Sequence, residues 1–170
     1  MLIRRENKSD YESIYDVVKT AFESADHADG NEQDLVNALR NGDSYISELS
    51  LVAEIDGIIV GHVMFTKAWV GDIPVLALAP LSVIPEYQRK GIGTALVKEG
   101  HRIAADLGFA YSVVLGSENY YPKFGYVPAD TVGIQAPFDV PKKNFMAYKL
   151  REDAPEACGV MRYAGEFGIT

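Results

Sequence analysis

The apolar positions of the chain change period along its length, and each change marks an element. Leu2-Ile3-Arg4-Arg5 reads as a short opening strand. Ile14, Val17, Val18, Ala21 and Phe22 recur at helical steps, so a helix is expected behind a cap at Ser9 or Asp10. A polar loop over 24–31 leads to a second helix at Glu32–Arg40, with Leu35, Val36 and Leu39 on one face. Asn41-Gly42-Asp43 stops it. Leu49–Ile55 and Ile58–Val70 read as strands, joined at Asp56-Gly57 by a two-residue type I′ hairpin turn.

Val75–Ile84 is apolar at successive positions, as expected of a central strand covered on both faces. Pro80 inside it has no N–H for a ladder bond, which predicts a bulge or splay. Ile92, Ala95, Leu96, Ile103 and Leu107 return to helical spacing, and Gly108 ends that helix. Tyr111–Gly116 is a further strand. Strand, helix and strand over about 30 residues make a βαβ unit, so these two strands should be parallel. A short helical segment is expected over 118–124, a break at Gly125-Tyr126, and a strand over 144–150. The fold class is α/β: a central mixed, mostly antiparallel sheet with helices on both faces. No repeat, low-complexity tract or linker divides the chain, so residues 1–170 read as a single domain.

Composition narrows the function. Asp plus Glu number 24 against 16 Lys plus Arg, a net charge of −8, which disfavours a general nucleic-acid binder. One cysteine, Cys158, allows no internal disulfide, and a reducing compartment fits. No apolar run is long enough to span a bilayer, and the N-terminus has no signal-peptide pattern. A soluble cytoplasmic protein is the expectation, with no membrane partner and no metal.

Chemistry concentrates at Gln88-Arg89-Lys90-Gly91-Ile92-Gly93-Thr94, where a strand runs through a basic, Gly-containing turn into a helix. The first N–H groups of a helix lack intrahelical partners and lie at the positive end of its dipole. Gly91 and Gly93 let an anion approach the backbone, and Arg89 and Lys90 add positive charge. No Gly-Lys-Ser/Thr ending is present for a P-loop. Leu96 stands where a dinucleotide-binding fingerprint needs its third small residue. The remaining pattern, Gln/Arg-x-x-Gly-x-Gly/Ala after a strand, is met by Gln88-x-x-Gly91-x-Gly93.

The run from Leu81 to Leu96, including Pro85-Glu86-Tyr87, resembles the acetyl-CoA-binding motif of the GNAT acetyltransferases. Tyr120-Tyr121-Pro122-Lys123-Phe124-Gly125-Tyr126 is similar to the family's Tyr-x-x-x-Gly-Phe segment. With Gly61-His62 and the C-terminal strand pattern, it looks most like the bacterial YhbS-like branch. The resemblance covers most of residues 1–150. It implies acetyl transfer from acetyl-CoA to an amine acceptor by direct attack, and homodimers are frequent in such families. Backbone N–H groups from Gln88 through Arg89, Lys90, Gly91, Ile92 and Gly93, with Thr94, would hold the CoA pyrophosphate. Leu81 and Val83, with Ser82 between them, would lie along the pantetheine arm, where strands splaying after Val83 admit the thioester. Asn119 would touch CoA. Tyr121, four residues before Gly125, would protonate the departing thiolate, with Tyr120 its rival. Pro122 departs from the expected helix there by disfavouring helical backbone at Tyr121.

The base stays open. His62, Ser82 acting through water, Glu54 through water, and solvent are the options, and a satisfied core histidine is the plainer reading of His62. The loop 23–32 carries four acids that would favour a cationic acceptor, or would merely cap helices. Cys158 has no histidine near it in sequence and is rejected as a nucleophile.

Overall fold

The computed structural model describes residues 1–25 and 28–169. The order is β1 (Leu2–Arg5), α1 (Tyr11–Glu23), α2 (Glu32–Arg40), β2 (Tyr45–Ile55), β3 (Ile58–Val70), β4 (Ile73–Val83), α3 (Ile92–Asp106), β5 (Tyr111–Leu115), β6 (Val127–Pro128), β7 (Ile134–Gln135), β8 (Phe145–Lys149) and β9 (Gly159–Arg162). The main sheet runs β1-β2-β3-β4-β5-β8-β6, with β9 on β3 and β7 on β9. The β4–β5 and β7–β9 pairs are parallel and the others antiparallel. This is the expected α/β architecture.

Alternation along the strands fills two layers. Leu51, Val63, Phe65, Leu78 and Val114 pack under α3 with Ile92, Leu96 and Val97. Val52 and Met64 point the other way and pack with Ile14 and Val18 of α1 and Val36 and Leu39 of α2. The far half of that second face is covered by short strands, a 3-10 turn and loop instead of an α-helix. There Ala129, Ile134, Ala157 and Met161 pack on Ala77, Val113 and Ala147.

Local chemistry explains several boundaries. Asp56 and Gly57 both take positive φ, 52° and 78°, as a type I′ turn demands. Asp10 stands at the N-cap position of α1 as expected, but its side chain makes no cap bond to that helix, and the capping bonds lie one turn earlier. The Asn7 side chain accepts from Ser9 N–H, and the Asp10 carboxylate reaches back to Asn7 N–H at 2.8 Å, around a one-turn 3-10 helix. β2 starts at Tyr45 rather than Leu49. Strands β6, β7 and β9 escape sequence detection because β6 and β7 have two residues each and β9 only four.

Helix α3 approaches the sheet closely because glycines face it. A Cβ on Gly61 of β3 would lie 3.1 Å from both Ile92 and Leu96. A Cβ on Gly100 of α3 would overlap the buried Phe65 ring.

A buried charge network ties the other face together. The Glu6 carboxylate, just past β1, accepts from Arg40 Nε at 2.5 Å, Arg40 Nη2 at 3.1 Å, Tyr45 Oη at 3.1 Å and the Ser50 hydroxyl. His62 Nε2 lies 3.2 Å from the same carboxylate and 3.0 Å from Ser50 Oγ. Burial by itself would raise the Glu6 pKa. The hydrogen bonds from His62, Arg40 and Ser50 outweigh it and hold the group at about 2.

Two stability outcomes are expected. Gly100→Ala should lower the denaturation midpoint. Overpacking costs about 1–3 kcal/mol, more than the roughly 1 kcal/mol gained by removing a helical glycine. Glu6 is depressed below its ordinary 4.5, so its contribution is present above that value and is lost as pH falls toward about 2. Glu6→Gln should remove that acid limb from a stability–pH curve. It should also cost about 3–5 kcal/mol at neutral pH, because Arg40 is left buried without its carboxylate. Both are read by urea denaturation across pH.

Candidate active site

The parallel pair β4–β5 is joined over only two residues, Leu76↔Ser112 and Ala77↔Val113. Beyond them the strands part, so the opening starts at Leu78 rather than after Val83. A bulge lies at this point. Ala79 and Pro80 of β4 together oppose Met64 of β3, between the Val63↔Leu81 and Phe65↔Leu78 pairs. The irregularity expected of Pro80 is therefore present.

β4 past the bulge has a partner on one side only. Ile84 N–H bonds Val60 O at 3.0 Å, and the antiparallel alternation then assigns His62↔Ser82 as the mutually bonded pair. Leu81 and Val83 consequently turn their amides away from β3, toward the open cleft. Ser82 does the opposite: its amide faces β3, and its side chain is 2% exposed on the α1/α2 face. Its position thus differs from that of its two neighbours.

The strand leads through a 3-10 turn, Pro85–Tyr87, into the basic loop. Arg89 adopts φ 63° and Gly91 φ 84°, so the chain reverses into α3 through left-handed backbone. The first helical bond is Ala95 N–H to Gly91 O. The Ile92, Gly93 and Thr94 N–H groups precede it, and Gly91 gives the helix no side-chain cap. A Cβ on Gly91 would meet nothing within 4 Å, so the space over the turn is open. Arg89 and Lys90 are exposed beside it, with Lys90 Nζ 5.3 Å from the Tyr87 ring centre. Gln88 uses its side chain locally, donating to Val83 O at 3.0 Å. Ile92 sends its side chain into the core beneath α3.

Two tyrosines flank the cleft. The Tyr120 hydroxyl sits against Gly93, where any Cβ would collide with it. The Tyr121 ring packs on Gly116, just past β5, and Gly116 has no room for a side chain for that reason. Tyr121 belongs to a 3-10 turn over Tyr121–Phe124 in place of a longer helix. Its ring meets Tyr120, Phe124 and Tyr126 at 5.0, 6.3 and 5.7 Å between centroids. Burial raises both phenols above their ordinary values, so each carries its proton at neutral pH. Asn119 is exposed at the start of this segment, its amide N–H on Ser117 Oγ at 3.1 Å.

Among the base candidates, His62 is fully buried, and desolvation lowers its pKa ahead of the opposing pull of Glu6, so the ring is neutral. Glu54 lies 3.6 Å from Arg4 at the β1 edge, remote from β4 in the sheet order. The acidic loop is partly accounted for: Glu32 accepts Asp29 and Gly30 N–H at 2.8 and 3.0 Å, a capping role. Asp26 and His27 lie outside the described residues. Sequence reading missed the placement of Tyr120 at Gly93, for which an adjacent Tyr-Tyr pair was the only hint. It also missed the Glu6–His62 contact, which spans 56 residues and leaves no spacing signal.

No cluster able to hold a metal and no helix long and apolar enough to cross a membrane occur among the described residues. The residues present do fit a CoA chain: free helix N–H groups and exposed cations for a pyrophosphate, and an unpaired strand edge for an amide-bearing arm.

The comparisons agree with that geometry. Residues 11–126 match the model of the acetyltransferase (GNAT) family. The chain is 38% identical over 150 residues to the uncharacterised N-acetyltransferase YjhQ of Escherichia coli strain K12, covering 85% of this chain and 80% of that one. It is 31% identical to the uncharacterised N-acetyltransferase YhbS of the same strain, over 98% of both chains. The crystal structure of Escherichia coli YhbS in complex with CoA superposes with a TM-score of 0.89 at 29% identity, over 98% of this chain and 91% of that one. A GNAT-family acetyltransferase of Brucella melitensis in complex with acetyl-CoA superposes at 0.81 and 30% identity, over 98% and 97%. The protein belongs to the GNAT acetyltransferase family.

Proposed function

We propose that this protein is an N-acetyltransferase that moves the acetyl group of acetyl-CoA to a primary amine by direct attack in a ternary complex. The carrying observation is the continuous surface from the free edge of Leu81 and Val83 to the unpaired N–H groups of Ile92, Gly93 and Thr94. The relatives solved with CoA and with acetyl-CoA support the same ligand here. Bound acetyl-CoA supplies the acyl group as a reactive thioester.

In this reading the α3 amides and Arg89 and Lys90 hold the pyrophosphate, and the outward amides of Leu81 and Val83 pair with the pantetheine arm as an added strand would. Gln88 contributes by holding Val83 O. The Tyr121 hydroxyl donates a proton to the departing thiolate. Tyr120, with its hydroxyl at Gly93 beside the helix N-terminus, holds the cofactor in the cleft. Most of the rate gain comes from positioning the two reactants. The protein's net negative charge favours a cationic acceptor, although Glu32 is already engaged by the loop backbone.

Calorimetry should show acetyl-CoA binding in a one-to-one ratio, and no heat at millimolar ligand would end the reading. Thiol release should then be screened with spermidine, L-lysine, kanamycin and a lysine-containing peptide. Tyr121→Phe should lower kcat about a hundredfold with acetyl-CoA affinity kept, and Tyr120→Phe should act mainly on that affinity. The reverse pattern would exchange the two roles.

A further inference from the structure

The α1/α2 face of the sheet holds a polar group that the cofactor half of the reaction does not use. His62 on β3 and Ser82 on β4 are cross-strand partners on that face, 0% and 2% exposed. Glu6 is fully satisfied, and the Ser50 hydroxyl donates to it. Ser50 Oγ is therefore an acceptor toward His62 Nε2, which fixes the ring as the Nε2–H tautomer. Nδ1 is left with a bare lone pair. It has no hydrogen-bond partner in the protein, and neither does Ser82 Oγ. Buried polar atoms are rarely left so; Thr66 Oγ1 on β3 is a third, but only His62 and Ser82 face each other in register at the strand that borders the cleft.

The placement suits the acceptor. Tyr120 and the start of α3 occupy the α3 side of the opening, so a second reactant must approach from the opposite face. Ser82 lies on that face, between the two residues that offer their amides to the cleft.

We propose that Ser82 and His62 form a proton relay for the acceptor amine, with Glu6 behind the imidazole. The inference rests on the N-acetyltransferase reading. The acceptor enters as an ammonium. One of its protons leaves as the tetrahedral intermediate collapses and restores the Tyr121 hydroxyl, and another must leave before the lone pair can attack the acetyl carbon. That earlier proton passes through the Ser82 hydroxyl and a bridging water to His62 Nδ1, whose lone pair accepts it. The resulting imidazolium keeps its Nε2–H toward Ser50 and Glu6, and the proton returns to solvent after product leaves. His62 touches no reactant and acts through Ser82, so it is a positioning residue. The charged and titratable groups around it are Glu6 from the β1 end, Arg40 from α2 and Tyr45 from β2. Tyr11 of α1 stacks on Arg40 at 3.9 Å. His62 titrates below its ordinary 6.5, so the base form is present from there upward.

The test compares the unaltered protein with His62→Gln and Ser82→Ala, using acetyl-CoA and whichever of the four screened amines turns over. The relay requires kcat/KM of the unaltered protein to be flat between pH 6.5 and 8. Both variants should lose about a hundredfold in kcat at pH 7 and regain it with unit slope as pH rises, with acetyl-CoA affinity unchanged. A flat profile at normal rate in Ser82→Ala, which leaves the Glu6 network intact, overturns the relay even if His62→Gln fails to fold. A loss of rate without a change of slope also overturns it. Nitrogen-15 NMR of the ring should show Nε2–H with Nδ1 unprotonated, and the other tautomer would refute the proposal. Acetyl-CoA binding without thiol release from any of the four amines would instead remove the enzyme reading, and the relay with it.

Discussion

The arrangement depends on the separation of two parallel strands. β4 and β5 share only the Leu76↔Ser112 and Ala77↔Val113 pairs, and the candidate cleft lies beyond them. A parallel pair needs a crossover, and α3 supplies it. Because α3 begins where β4 ends, the same connection that builds the sheet delivers a helix N-terminus to the mouth of the cleft. Pro80 contributes by lacking an N–H, and the bulge of Ala79 and Pro80 against Met64 turns β4 where pairing with β5 stops. Leu81 and Val83 then carry unpaired amides into the gap.

Glycines determine how closely the parts approach. Gly61 and Gly100 let α3 rest on β3 and on Phe65, so the helix start is held by core packing. Gly91 turns the chain through φ 84° where a side chain would be strained. Gly93 and Gly116 serve differently. Each leaves room for a tyrosine, Tyr120 on the helix side and Tyr121 on the β5 side. The rigid core thus fixes both walls of the opening, while the surface of the basic turn stays clear.

The opposite face is organised by charge. Glu6 after β1, Arg40 of α2, Tyr45 and Ser50 of β2, and His62 of β3 meet here, and their hydrogen bonds close around one carboxylate. Such a set is costly to bury unless every partner is present. It fixes the orientation of His62 tightly, which is why the unpartnered Nδ1 stands out against the satisfied Nε2.

Much of this was legible in the residues. The helical periods of α1, α2 and α3, the Asp56-Gly57 turn, the disturbance at Pro80 and the strand–turn–helix around Gly91 are local patterns. Local sterics and hydrogen bonding determine them without reference to the rest of the chain. The short strands β6, β7 and β9 left no such pattern, since a two-residue strand exists only because a neighbouring edge accepts it. Gln88 reads as the first backbone phosphate contact in the motif, yet its N–H donates to Pro85 O at 3.2 Å and its side chain to Val83 O at 3.0 Å. Ser82 reads like its neighbours, but strand alternation turns its side chain to the α1/α2 face. The sequence by itself determined the family and the basic glycine turn that opens α3, because both reside in contiguous residues. Only the tertiary structure decided where β4 and β5 part, which tyrosine faces which wall, and that Glu6 meets His62. Those relations join residues far apart in the chain, and packing alone brings them within reach.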